Sequence, residues 1–203
     1  MTAAPAIATR SPGAGFADYT VDAQSTFRTL LDAMARPGTI GAVPAVPGAP
    51  PPLDPATAAV ALCLFDHDTP VWLGDGIAGL DVYEYFRFHC GCPLIKSALA
   101  ASFGVCLATA GMPPLSQFDS GTDESPDRSA TVVVQVPDLD GGARLRLSGP
   151  GIESEAFLTV AGIPDYFWDA RKAQQESFPR GIDLLFTSGR RVVALPRSTE
   201  IGG

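Results

Sequence analysis

Histidine is scarce in this 203-residue sequence, with only His67 and His89, and lysine occurs only at Lys96 and Lys172. Most of the chain's titratable chemistry near neutral pH therefore sits in two neighbourhoods. Basic runs are also missing, and the formal net charge is −8. Nucleic acid is excluded as a partner on that ground, since neutralising phosphates needs a basic face. A local arginine can still meet an anion, because short-range pairing outweighs distant charge. No apolar run approaches the ~20 residues of a membrane span, and the first residues have no positive start or apolar centre. The expectation is a cytoplasmic protein with no membrane partner. Its four cysteines (Cys63, Cys90, Cys92 and Cys106) are expected to be reduced thiols.

Several catalytic signatures are missing as well. No serine sits in Gly-x-Ser-x-Gly, and Gly149-Pro150-Gly151 lacks the Lys-Ser/Thr of a phosphate-cradling loop. Cys90-Gly91-Cys92 has neither the spacing of a paired zinc ligand set nor that of a redox C-x-x-C. No metal is expected.

What remains is 46% hydrophobic and 18% charged, with 21 glycines and 19 prolines. That is a loop-rich globular chain. Residues 1–15 read as a flexible arm and 16–203 as a single α/β domain. Asp22 is placed as the N-cap of a first helix, with Phe27, Leu30, Leu31 and Met34 on its inward face. Residues 41–52, with five prolines, read as an extended linker or a loop lying over a surface. Asp54-Pro55 opens a second helix that is apolar almost all round and so deeply buried. Val71-Trp72-Leu73 is a short core strand, residues 81–89 a helix, and residues 103–109 a strand. Thr131–Val136 and Ala143–Ser148 read as two strands of a hairpin turned by residues 137–142. Residues 164–176 form an amphipathic helix with Arg171 on its polar side. Residues 182–186 and 191–195 form a closing hairpin around Gly189. The order of elements implies mixed α/β with a partly antiparallel sheet.

The candidate site residues follow from side-chain chemistry. Asp66, His67 and Asp68 interrupt an apolar run, and with Arg87 and His89 they offer carboxylates, imidazoles and a guanidinium for a nucleotide or phosphonate. Arg180 is a candidate bidentate phosphate clamp. Asp66-His67-Asp68-Thr69-Pro70 is equally good chemistry for ending a helix and turning the chain. No catalytic residue is assigned.

Seven stretches in order resemble the PhnH family, a subunit of the bacterial carbon–phosphorus lyase system. They are Asp22–Gly38, Leu64–Leu73, Arg87–His89, Gly121-Thr122 with Pro126 and Ser129–Thr131, Leu147–Ile152, Phe178–Asp183 and Ala194–Thr199. The resemblance runs from about Phe16 to the C-terminus. It implies a three-layer α/β/α-like mixed sheet similar to the large domain of type I pyridoxal-phosphate (PLP) transferases, but without PLP. It implies a homodimer that joins the PhnG, PhnI and PhnJ subunits in a core complex. That complex uses ATP and alkylphosphonate to form a ribose 1-phosphonate 5-triphosphate, and this subunit is accessory rather than catalytic. The rival reading is a stand-alone nucleotide- or phosphonate-binding enzyme around Asp66–Asp68, Arg87 and His89. Cys90 departs from the family pattern, where a threonine follows Arg-Phe-His.

Overall fold

A strand with apolar side chains on both faces needs cover on both sides. Thr131–Gln135 is such a strand, with Val132, Val133 and Val134 all buried. In the computed structural model it is the fifth of ten strands among the described residues, 12–109 and 111–202. The elements in order are α1 (Tyr19–Ala35), β1 (Gly41–Ala42), α2 (Pro55–Leu64), β2 (Val71–Leu73), α3 (Leu80–His89), β3 (Leu94–Ile95), β4 (Phe103–Leu107), β5 (Thr131–Gln135), β6 (Arg144–Ser148), β7 (Ala156–Thr159), α4 (Asp165–Gln175), β8 (Asp183–Ser188), β9 (Arg191–Leu195) and β10 (Glu200–Gly202).

Seven strands form one mixed sheet in the order β1-β9-β8-β5-β4-β2-β3. From β8 to β3 all neighbours are parallel, while β9 is antiparallel to both β8 and β1. Alternate side chains feed two cores, as the period of a strand requires. Val133, Leu185 and Ala194 point to the α1–α3 face. Val132, Val134, Leu184, Phe186 and Val193 point to the other face, covered by α4 and a small sheet of order β10-β6-β7.

The expected hairpin of residues 131–136 with 143–148 does not form. β5 pairs in parallel with β4 and β8, and β6 pairs with β7 and β10 in the other sheet. The patterns explain the separation. β5 is apolar on both faces and belongs inside a parallel sheet, whereas β6 alternates arginine with leucine and keeps one face wet. The closing hairpin does form, with Gly189 at φ +58° in its turn.

Helix α1 also differs from expectation. Its N-cap is Asp18, whose carboxylate accepts from Val21 N–H at 3.0 Å, and Asp22 reaches back to Asp18 N–H at 3.0 Å. It buries Thr26, Leu30 and Ala33, leaving Phe27 and Leu31 47% and 53% exposed. Small residues win this face because α1 lies close against the alanine-rich α2, where Cys63 Sγ even reaches Ala23 O at 3.5 Å. α2 itself is buried from Ala56 to Leu62, as its sequence predicts. Of the two readings of the proline-rich 41–52 segment, the structure favours the loop packed on a surface over the linker: it contributes β1 and buries Val43 and Val46.

Arg171 is buried rather than solvated, with 1% exposure. Its Nη2 donates to the carbonyls of Pro196 (2.8 Å) and Thr199 (2.9 Å), so the guanidinium serves backbone acceptors of the loop before β10. Burial, partly offset by Asp183, lowers its pKa to about 10, so it stays charged at neutral pH.

The carboxyl ends of β5 and β8 are locked to α2 by one amide. Gln135 Oε1 accepts from Asp54 N–H (2.7 Å) and the Thr57 hydroxyl (2.8 Å), and Gln135 Nε2 donates to Pro52 O (2.7 Å). Thr57 also meets Thr187 at 2.8 Å, and Asp54 Oδ2 accepts from Gly189 N–H at 2.8 Å. Among the described residues no helix is long and apolar enough to cross a membrane. Gln135→Ala strands Asp54 N–H and Pro52 O. It should lower the unfolding free energy by about 1–3 kcal/mol, read in urea as a lower midpoint at unchanged slope.

Candidate functional site

The parallel strands present two edges, amino and carboxyl, and the six candidate residues distribute along the amino edge and α3. Asp66, His67 and Asp68 occupy the turn from α2 into β2, all exposed. Asp66 Oδ1 accepts from Thr69 Oγ1 (2.7 Å) and Asp68 N–H (3.0 Å). Those two hydrogen bonds hold its carboxyl below the usual carboxylate range. His67 Nε2 sits 3.2 Å from Asp68 Oδ2, with both side chains more than four-fifths exposed. This is a capped turn.

His89, at the end of α3, makes its contacts elsewhere. Its Nε2 lies 2.8 Å from Gly13 O, and its ring packs on Tyr85 and Phe88 at centroid distances of 4.5 and 4.9 Å. Tyr85 OH reaches Ala14 O at 3.4 Å. Residues 12–15 of the expected arm thus lie against α3, and the remainder of that arm, residues 1–11, lies outside the described residues. Arg87 is exposed on the same helix. Arg180 precedes β8, and its Nε pairs with Asp123 Oδ1 at 3.1 Å. Strand β8 is three strand spacings from β2 in the sheet order, which separates Arg180 from the Asp66 turn by roughly 14 Å along the edge. Among the described residues His67, His89 and Arg180 have different partners, Asp68, Gly13 and Asp123 respectively.

The four thiols are free. Burial pushes Cys63 up to about 11 and Cys106 up to about 12. Cys90 is raised chiefly by a hydrogen bond shared with Cys92, then by burial, while that bond lowers Cys92. Cys90 Sγ also lies 3.6 Å from Ala61 O. Among the described residues no three His, Cys, Asp or Glu side chains gather as a metal site would require.

A second polar cluster, at the amino end of β8, involves residues that single-motif reasoning passes over. Asp183, at the start of β8, accepts from Arg197 N–H at 2.7 Å and pairs with Arg197 Nη2 at 3.0 Å. Arg197 Nη1 donates to Pro126 O, and Gly181 N–H donates to Ser120 O at 2.9 Å. Gly181 has φ +154°, and a Cβ there would stand 3.1 Å from Arg197 Cβ. Three separated stretches, 119–131, 178–183 and 194–199, are tied together in this way. A cavity of about 320 Å³ opens beside them, bounded by Phe178, Pro179, Asp127, Arg197 and Ser198. Among the described residues, the bonds of this cluster clamp one stretch of backbone to another. The only sequence signal for it was the joint presence of the three stretches.

Comparison with known proteins settles what these stretches belong to. Residues 14–202 match the model of the bacterial phosphonate metabolism protein family PhnH. The chain belongs to the PhnH family. One relative, from Rhizobium meliloti (strain 1021), is named "Alpha-D-ribose 1-methylphosphonate 5-triphosphate synthase subunit PhnH". It is 42% identical over 186 residues, covering 92% of this chain and 93% of the relative. Another, from Stutzerimonas stutzeri, is named "Putative C-P lyase subunit protein HtxG". It is 33% identical over 178 residues, covering 88% of this chain and 85% of the relative. The resemblance stretches 178–183 and 194–199 meet in the Asp183–Arg197 pair, and Arg197 Nη1 joins them to Pro126 of the 121–131 stretch. Arg197→Ala removes the ion pair and the donor to Pro126 O. It should cost roughly 1–3 kcal/mol, seen as a lower denaturation midpoint, while Arg180→Ala at the exposed rim should cost less than about 1 kcal/mol.

Proposed function

We propose that this chain is an accessory subunit of the carbon–phosphorus lyase machinery, needed to form a ribose 1-phosphonate 5-triphosphate from ATP and an alkylphosphonate. The carrying observation is the near full-length 42% identity to the R. meliloti synthase subunit. The geometry supports an accessory role, because the titratable candidates serve as a turn cap, an arm contact and a rim ion pair. ATP is used by the complex, and PhnG, PhnI and PhnJ are the partners. Reconstitution tests this. Turnover of ATP with methylphosphonate should disappear when the chain is left out and return when it is added. Full turnover without it would sink the reading.

The large sheet is read as that of type I PLP transferases without the cofactor. A PLP site needs a Schiff-base lysine, and support comes from the two lysines, both exposed, with Lys96 just beyond β3 and Lys172 on α4.

The chain is further read as a homodimer that uses the outer face of α1. Phe27 and Leu31 form an apolar stripe flanked by Arg28, Asp32 and Arg36. Asp32 and Arg36 pair at 2.9 Å within one copy. An antiparallel second copy would meet opposite charges across a two-fold axis, as an isologous interface requires. Phe27→Asp with Leu31→Asp should turn a dimer into a monomer of unchanged helix content, by light scattering and circular dichroism. A wild-type monomer, or a variant that stays dimeric, would remove the assignment.

A further inference from the structure

The carboxyl edge of the large sheet is closed on one side and open on the other. At β5 and β8 the Gln135, Asp54 and Thr57 bonds seal it. At β2 and β4 a crevice of about 400 Å³ remains, within the roughly 300–1,000 Å³ span of small-molecule sites. Its position is topologically special. The chain passes from β2 to β3 on one side, then to β4 on the other side of β2, and onward through β5 to β8. The strand order reverses between β2 and β4. In open parallel sheets, that reversal at the carboxyl ends is where the flanking connections part and leave room for a ligand.

The cause of the opening is visible in the packing. Here the α4-side face is covered by residues 111–118, which form a loop with one 3-10 turn at Leu115–Gln117, instead of by an α-helix. Phe118 closes on Trp72 edge-to-face at 5.5 Å, and it approaches so near that a Cβ on Gly104 would lie 2.5 Å from its ring. The glycines at the rim have a packing role. A Cβ on Gly74 would stand 2.9 Å from Cys106 Cβ, and one on Gly76 would stand 2.8 Å from Leu107 Cδ1. They keep the crevice narrow and are no evidence of a phosphate cradle.

The lining joins an aromatic and sulfur-rich wall, Trp72 and Met112, to the polar side chains of Asp75, Thr109 and Gln117. Among the described residues none of those three has a side-chain hydrogen bond or ion pair. That contrasts with Gln135 on the closed half of the same edge, whose amide is engaged at both ends. Among the described residues no lysine, arginine or histidine lines the crevice, and the Asp75 carboxylate disfavours a phosphate chain there. Cys106, also in the wall, is a buried thiol and offers no nucleophile.

We propose that the β2/β4 crevice binds a nucleoside, with a neutral planar base against Trp72 and Met112 and the ribose hydroxyls donating to Asp75. Thr109 and Gln117 supply the remaining polar contacts, and any 5′-phosphates project into solvent or toward a partner subunit. The choice of ribose chemistry rests on the subunit reading above, while the site rests on the crevice itself.

Adenosine is the probe, titrated calorimetrically into the full-length chain, with tripolyphosphate as competitor. Saturable millimolar or tighter binding is expected, weakened about tenfold or more by Asp75→Ala. Tripolyphosphate should not displace it. Asp75 is exposed, so an unchanged thermal midpoint of Asp75→Ala shows that the loss is local. Thr109→Val should also weaken binding, while Arg180→Ala should leave it unchanged. Absence of saturable binding, full affinity in Asp75→Ala, or displacement by tripolyphosphate overturns the proposal. In the reconstituted complex, turnover that needs the chain yet tolerates Asp75→Ala overturns the crevice assignment and leaves the subunit role standing.

Discussion

Cover on both faces of the large sheet is the constraint from which the rest of the structure follows. Strands β5 and β8 lie between other strands and carry apolar side chains up and down, so each face must exclude water. The α1–α3 layer does this on one side, with the alanine-rich α2 pressed flat against the strands. On the other side α4 and the three-stranded sheet cover β5, β8 and β9, while a loop covers β2 and β4. The unequal cover leaves a closed edge at β5/β8 and an open crevice at β2/β4.

Polar groups enter this scheme where backbone would otherwise go unpaired. Gln135 answers the first turn of α2, Arg171 answers two carbonyls before β10, and Asp183 answers the backbone and guanidinium of Arg197. Buried or half-buried polar atoms left without partners are costly. Arg171 and Asp183 in this way fix the 194–199 and 178–183 stretches, while Gln135 fixes the entry to α2. The cluster around Asp183 gives those stretches a structural reason to occur together, without assigning them a reaction.

Much of the fold could be read from local pattern. α2, α3, α4 and the β8–β9 hairpin lie where helix periodicity, Asp54-Pro55 and Gly189 place them. Where local pattern failed, a distant partner decided. The turn-rich 137–142 segment suggested a hairpin, but the two-faced β5 was claimed by β4 and β8. Phe27 and Leu31 looked like core positions, but the close approach of α2 favoured Thr26 and Ala33. Arg171 looked solvated because its acceptors lie 25 and 28 residues away. The site was less legible than the fold. Asp66–Asp68, Arg87, His89 and Arg180 were chosen for side-chain chemistry, yet whether such groups meet depends on strand order.

By itself the sequence determined the class, the family, and the lack of basic runs or of an apolar run long enough for a membrane-spanning helix, since these depend on composition, local periodicity and short ordered motifs. The tertiary structure alone decided which strands pair, which face of α1 is left bare and where a cavity opens. Those outcomes depend on packing between residues far apart in the chain. No local pattern in Trp72, Asp75, Thr109 or Gln117 announces that the reversal of strand order at β2/β4 brings them to one crevice.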